Sequence, residues 1–221
     1  MRELPILFNT EMVQAILNGR KTCTRRVVKG YIPKEAEFGY TAFTPKGTIS
    51  CRGIFETDYP GYGEKFFKLP YQRGDVLYVR ETWSEGYEEG TYIYKADDKL
   101  KDLPEFKNSS KLIYHPSIYM PKKAARIWLK VTGVRVERLQ EITPQQAENE
   151  GVGNLFYEDI GYSEKNYGTE VDKEYGIARE QFAWLWDSTI KNSDLDRYGW
   201  NANPWVWIIE FERCEKPGIE S

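Results

Sequence analysis

The stretch "ARIWLKVTGVRVERL", residues 125–139, constrains the fold more than any other. Ile127, Leu129 and Val131 alternate, as they must on a strand with one buried face. Val134 and Val136 then continue on the opposite parity. A strand that changes phase and still keeps its apolar residues on one side needs an extra residue in the ladder. Gly133 sits where the phase changes, which predicts a bulge there. The other face of the first half carries Arg126, Trp128 and Lys130.

The rest of the chain supplies partners for such a strand. "PILF" (5–8) reads as a short buried strand and "TEMVQAILNG" (10–19) as a helix. Met12, Ala15 and Ile16 form its stripe, and Gly19 stands at the left-handed C-cap position. "TCTRRVV" (22–28) reads as a strand, and "YTAFTPKGTISCRG" (40–53) as a hairpin around Pro45 to Gly47. "DYPGYGEKFFKLPYQRGD" (58–75) reads as a Gly/Pro/Tyr-rich loop. "DVLYVRETW" and "TYIYKA" read as further strands, and 97–117 as irregular chain.

"ITPQQAENEG" (142–151) carries full helix signals. Thr143 is the N-cap, Pro144 the first helical residue, Gln146 the partner in a capping box and Gly151 the terminator. The acidic segment 157–174 reads as a mobile loop. "AREQFAWLWDSTI" (178–190) reads as an amphipathic helix with Phe182, Leu185 and Trp186 inward. "NPWVWIIEFER" (203–213) closes as a strand with Trp205, Trp207, Ile209 and Phe211 on one face. Strands with short helices between them, and a strand last, predict an α+β fold built on a small curled sheet or barrel.

Composition narrows the function classes. The 221 residues are enough for one domain, 1–221, with insertions near 53–70, 97–117 and 153–175. No apolar run approaches the roughly 18 residues of a membrane span, and "MRELPILFNTE" lacks a secretory leader. Cys23, Cys51 and Cys214 are widely spaced, which suits reduced thiols in a cytoplasmic protein. His115 is the only histidine, which argues against a zinc-type metal site. Net charge is -3, yet Arg20, Lys21, Arg25, Arg26, Lys29 and Lys34 lie in a stretch with no acid, and acids dominate 141–180. A basic face on an acidic chain can still meet phosphates.

"ILNGRKTCTRR", "RGDVLYVRETW", "TPQQAENEG" and "NPWVWIIEF" follow one another in the order seen in ASCH domains, which belong to the PUA-like superfamily. The chain resembles, over nearly its whole length, the longer ASCH proteins of bacteriophages and prophages. Its most specific motif is G-R-K-T-x-T-R-R. The resemblance implies a PUA-like small mixed β-barrel with short helices and loop insertions. It implies a cleft for a nucleoside or single-stranded RNA or DNA, with no cofactor or metal. A shorter bacterial branch removes the acetyl group from N4-acetylcytidine, using a Lys, a Thr three residues on and a Glu on the short helix. Lys21 and Thr24 match by motif, and Glu150 matches if the helices align at Ala147, with Glu148 otherwise. Arg26 falls on an arginine of that motif. Arg25 stands where the short branch carries an apolar residue.

The chemistry implied has clear requirements. A threonine hydroxyl attacks only when a base takes its proton, and a lysine is a base only when neutral. Arg20, Arg25 and Arg26 would provide the cationic surroundings that favour a neutral Lys21. Glu150 would protonate the leaving exocyclic amine, and nearby cations and amide donors would stabilise the oxyanion. Residues 21 and 24 point to opposite faces of a strand, so Lys21 must lie in the turn after Gly19.

Plainer readings compete with this one. The basic turn can anchor a phosphate or pair with acids of 141–180. Arg80 or Glu81 points inward, either to pair with that turn or to line the cleft. Arg126, Trp128 and Lys130 form either a base-stacking platform with phosphate contacts or a strand face covered by a helix. Cys23 reads as a buried structural cysteine, His115 as a surface residue, and Trp200, Trp205 and Trp207 as core and cleft wall. The functions left open are an amidohydrolase of a modified nucleoside and a non-catalytic nucleic-acid module. A ribonuclease would lack an obvious acid-base pair.

Overall fold

The computed structural model describes residues 1–30, 32, 37–42, 51–56, 65–86, 88–97, 113–152 and 170–218. Its architecture is mixed α+β. The main sheet holds β1 (Glu3–Leu7), β2 (Cys23–Val27), β6 (Val76–Arg80), β9 (Trp128–Arg138) and β10 (Trp205–Cys214) in the order β1-β6-β9-β10-β2. Only β1 and β6 run parallel. A second sheet holds β3 (Glu37–Ala42), β4 (Cys51–Glu56) and β5 (Lys65–Lys68), and β7 (Trp83–Glu85) pairs with β8 (Tyr92–Tyr94).

The phase change in β9 has the physical cause its sequence implies. Glu210 faces Gly133, but Phe211 faces Val131, so Thr132 is the extra residue of a bulge. At Gly133 a Cβ would come within 2.6 Å of the Glu210 carboxylate. Ile127, Leu129 and Val131 before the bulge, and Val134 and Val136 after it, therefore all pack on one core with Trp207, Ile209 and Phe211. On the other face of β10, Val206 and Ile208 pack against the helices in a second cluster. Trp128 belongs to a third, with Val76, Trp83 and Met120.

The described α-helices lie around the main sheet. Helix α1 (Thr10–Leu17) starts at Asn9, whose side chain accepts from Met12 N, and ends before Gly19 at φ +73°. Helix α2 (Pro144–Asn149) has the Thr143–Gln146 capping box in both directions. Helix α3 (Glu170–Thr189) buries Phe182 and Trp186 and packs Leu185 beside them; α4 (Leu195–Tyr198) is a single turn.

Several expectations need correction. Helix α3 begins eight residues before Ala178, so 170–174 is helical rather than loop; a polar, acidic first turn is compatible with a helix start. "KFFK" inside the Gly/Pro/Tyr-rich stretch is strand β5, paired with β4, so the insertion near 53–70 carries strand at both ends. The hairpin arms β3 and β4 pair down to Ala42 and Cys51, while the turn at Pro45 to Gly47 lies outside the described residues, as does 157–169. Among the described residues the main sheet closes into no barrel, because β1 and β2 share no ladder. A side chain links those edges: Arg26 Nη2 donates to Leu7 O at 2.9 Å. No described helix is long and apolar enough to cross a membrane.

Candidate functional site

The turn after α1 and the end of α2 meet to make the site. After α1, Arg20 N and Lys21 N both donate to Ala15 O, at 2.8 and 3.1 Å, and the chain turns sharply. Thr22 N then donates to Asn149 O at 2.9 Å, while Lys21 and Glu150 form an isolated antiparallel bridge. Lys21 thus lies outside β2, as a partner for Thr24 requires. Gly151 makes this approach possible. Its φ is +91°, and a Cβ there would lie 2.8 Å from Ala15 Cβ and 3.2 Å from Lys21 Cβ.

The bridge brings charged side chains together out of water. Lys21 Nζ donates to Glu150 Oε2 at 2.7 Å and to Glu150 O at 2.8 Å. Arg25 Nη1 donates to Glu150 Oε1 at 3.1 Å, and its Nη2 to Gln146 Oε1 at 3.0 Å. The side chains of Lys21, Arg25 and Glu150 are 0, 1 and 4 % exposed. Glu137 stands 3.9 Å from Arg25 Nη2. Glu148 instead accepts from Gln145 Nε2, and Glu150 is the acid that meets Lys21.

Thr24 and Arg26 occupy the opposite face of β2, opposite Ile209 and Trp207 in the ladder. Thr24 is buried. Lys21 Nζ and the Arg26 guanidinium each lie 5.5 Å from the centre of the Phe8 ring, so one aromatic floor underlies both cations. Burial lowers the Arg26 pKa from its ordinary value, and the neighbouring Tyr71 and Glu150 act against that. Arg20 stays exposed and donates to Gly151 O at 2.9 Å.

Cys23 is buried as expected, with its thiol pushed up to about 12, mainly by burial and then by Glu150. That makes it inert as a nucleophile. Among the described residues no group of three or more His, Cys, Asp or Glu is placed to hold a metal ion.

Other expected site residues lie elsewhere. Glu81 points inward, 1 % exposed, yet its partner is Arg126 rather than the basic turn. Arg126 donates to both Glu81 oxygens, at 2.9 and 3.0 Å, and also to Asp97. Burial raises the Glu81 carboxyl above its ordinary range, and Arg126 opposes this. Arg80 is committed to the carbonyls of Met120 and Ile118. Trp128 is 4 % exposed and packs on Tyr78, so it offers no face for stacking a base. Of that stripe only Lys130 is exposed. Trp207 is core, Trp205 lies under Arg138, and Trp200 packs on Phe182. His115 is exposed, and its backbone bridges Trp83.

Gln146, Phe8 and Tyr71 were not legible as site residues. Gln146 read only as a cap, although it precedes Glu150 by four positions and so shares its helix face. Phe8 and Tyr71 carry no local signal, because they reach the cluster through the tertiary fold. Comparisons of the chain with protein-family models, with curated proteins and with solved structures return no match.

Proposed function

We propose that the protein is an ASCH-type amidohydrolase with a PUA-like arrangement, acting on an N4-acylated, cytidine-like base. One observation carries this reading: Lys21, three residues before Thr24 in the sequence, has its Nζ 2.7 Å from Glu150 Oε2, out of water. An ion pair this deep contributes little net stability, because desolvation offsets most of its attraction. It is well suited to moving a proton.

Lys21 and Glu150 together hold the proton that amide cleavage needs. With that proton on Glu150, the Lys21 amine takes the proton of the Thr24 hydroxyl, and Oγ1 attacks the acyl carbon. The C–N bond breaks as Glu150 protonates the exocyclic nitrogen. Water then attacks the Thr24 ester and gives a proton to Glu150. The Lys21 ammonium returns one to Thr24, releasing the acid and restoring the starting state. Lys21 and Arg25 are already engaged by Glu150, which favours an uncharged reacting group over a phosphate at this point.

A non-catalytic module for single-stranded RNA or DNA is the second reading, favoured by the exposed Arg20 beside the cluster. The test is acetate release from N4-acetylcytidine, free and within a short RNA. Wild type should turn over, and Lys21→Ala and Thr24→Ala should not, with ligand binding kept in Thr24→Ala. A wild type that releases no acetate, yet binds RNA with an affinity falling steeply with salt, would establish the binding module instead.

A further inference from the structure

Arg25 is a guanidinium at a position where its strand should carry an apolar side chain. Strand alternation points Cys23, Arg25 and Val27 toward the second core cluster. The Arg25 side chain is buried, and its guanidinium lies 5.6 Å from the centre of the Phe182 ring. Burying a cation has a desolvation cost, and an apolar residue of similar size often serves stability as well or better. Its Nε has no hydrogen-bond partner among the described residues, which adds to that cost. Stability therefore does not account for Arg25.

Its two Nη groups do. One donates to Glu150 Oε1 and the other to Gln146 Oε1. Gln146 is itself fixed: its Oε1 accepts from Thr143 N at 3.0 Å, and its N donates to Thr143 Oγ1 at 3.3 Å. A continuous brace thus runs from the first turn of α2, through Gln146 and Arg25, to Glu150 at its last. Lys21 takes the other Glu150 oxygen. With each oxygen held by a separate cation, the carboxylate has one rotation.

We infer that Arg25 is a positioning residue, whose fork braced on Gln146 fixes the Glu150 carboxylate so that Oε2 stays on Lys21. The inference rests on the hydrolase reading and adds to it, since the short amidohydrolase branch that the chain resembles has an apolar residue at this place. Fork geometry is what matters, because a lysine is a single point charge and cannot span two fixed acceptors.

The experiment measures kcat and KM for acetate release from N4-acetylcytidine in wild type, Arg25→Met, Arg25→Lys and Gln146→Glu. Arg25→Met and Arg25→Lys should lower kcat about 10- to 100-fold with KM within about twofold, since only alignment is lost. Gln146→Glu keeps an acceptor for both Thr143 N and Arg25 but sets a second carboxylate beside Glu150, so its kcat should fall as well. Full kcat in Arg25→Lys overturns the inference and leaves the hydrolase intact. A raised KM with kcat unchanged overturns it too, by making Arg25 a substrate contact. Should Arg25→Met fail to fold, Arg25→Lys keeps the charge and most of the stem and decides alone. A wild type without turnover overturns the hydrolase reading, and the inference falls with it.

Discussion

Two of the three carboxylates buried among the described residues, Glu81 and Glu150, have surroundings that differ in an instructive way. Glu81 receives both of its bonds from one arginine, Arg126, whose other arm is closed by Asp97 and whose plane lies 3.9 Å from the centre of the Tyr94 ring. Glu150 divides its oxygens between two cations, Lys21 and Arg25. Lys21 has a third Nζ proton beyond its two bonds to Glu150. Arg25 keeps an unpartnered Nε. Glu81 sits in a closed bidentate pair, the geometry that fixes structure. Glu150 sits in a pair where one proton can move without breaking a fork. Charge and burial alone would not separate them, since both are nearly inaccessible.

The largest expected effect would break this contrast if it failed. Glu150→Gln should lower acetate release from N4-acetylcytidine by about 10²- to 10⁴-fold, the range of a lost general acid or base. Glu81→Gln should leave turnover within about threefold, because both Glu81 oxygens are taken by Arg126. Equal losses would mean that both clusters serve the chemistry.

Unfolding in urea should reverse the ranking. Arg126→Met removes the only cation bonded to Glu81 among the described residues and should cost about 3–5 kcal/mol, the penalty for a buried charge left alone. Arg25→Met leaves Lys21 on Glu150 and puts an apolar residue in an apolar cluster, so it should cost less than about 1 kcal/mol. A larger loss in Arg25→Met would show that the reactive cluster is also the structural one.

Gly151→Ala sharpens the contrast from the backbone side. Its positive φ, and a Cβ 2.8 Å from Ala15 Cβ, should cost about 1–3 kcal/mol. Turnover should fall as well, because the Lys21–Glu150 bridge depends on that close approach. No comparable glycine brackets Glu81 among the described residues.

The smallest effect concerns Cys23, beside the cluster. Its folded value, about 12, lies above the ordinary 9.0, so the folded protein holds the thiol proton longer than the unfolded chain does. Its contribution to stability is complete below pH 9 and is lost as pH rises toward 12, at about 1.4 kcal/mol per pH unit for one proton. In a Cys51→Ser/Cys214→Ser background, iodoacetamide at pH 9 should alkylate the urea-unfolded chain and spare the native one. Rapid labelling of the native protein would show an open cluster.

Much of the fold was legible because it follows from short-range rules. The Thr143–Gln146 capping box, the left-handed Gly19 and the phase change at Gly133 are each written in a few residues, and each appears where expected. Strand β5 and the first turns of α3 were missed because Gly, Pro, Tyr and acidic neighbours masked them. In the site, the turn after Gly19 that the sequence requires for Lys21 is where the structure has it, outside β2. Partner choice was beyond the motif. Glu81 offered itself to the basic turn and found Arg126 instead, and the Arg126–Trp128–Lys130 stripe placed its tryptophan in the core.

By itself, then, the sequence determined the helix ends, the bulge and the concentration of cations after α1, since backbone conformation and periodicity act over a few residues. Only the tertiary structure decided that Glu150 rather than Glu148 meets Lys21, that Gln146 braces Arg25 and that Phe8 lies beneath two cations. Those pairings join residues far apart in the chain, and they depend on how helices and strands pack. Hydrogen bonds reach only about 3 Å, so packing sets which charges can meet.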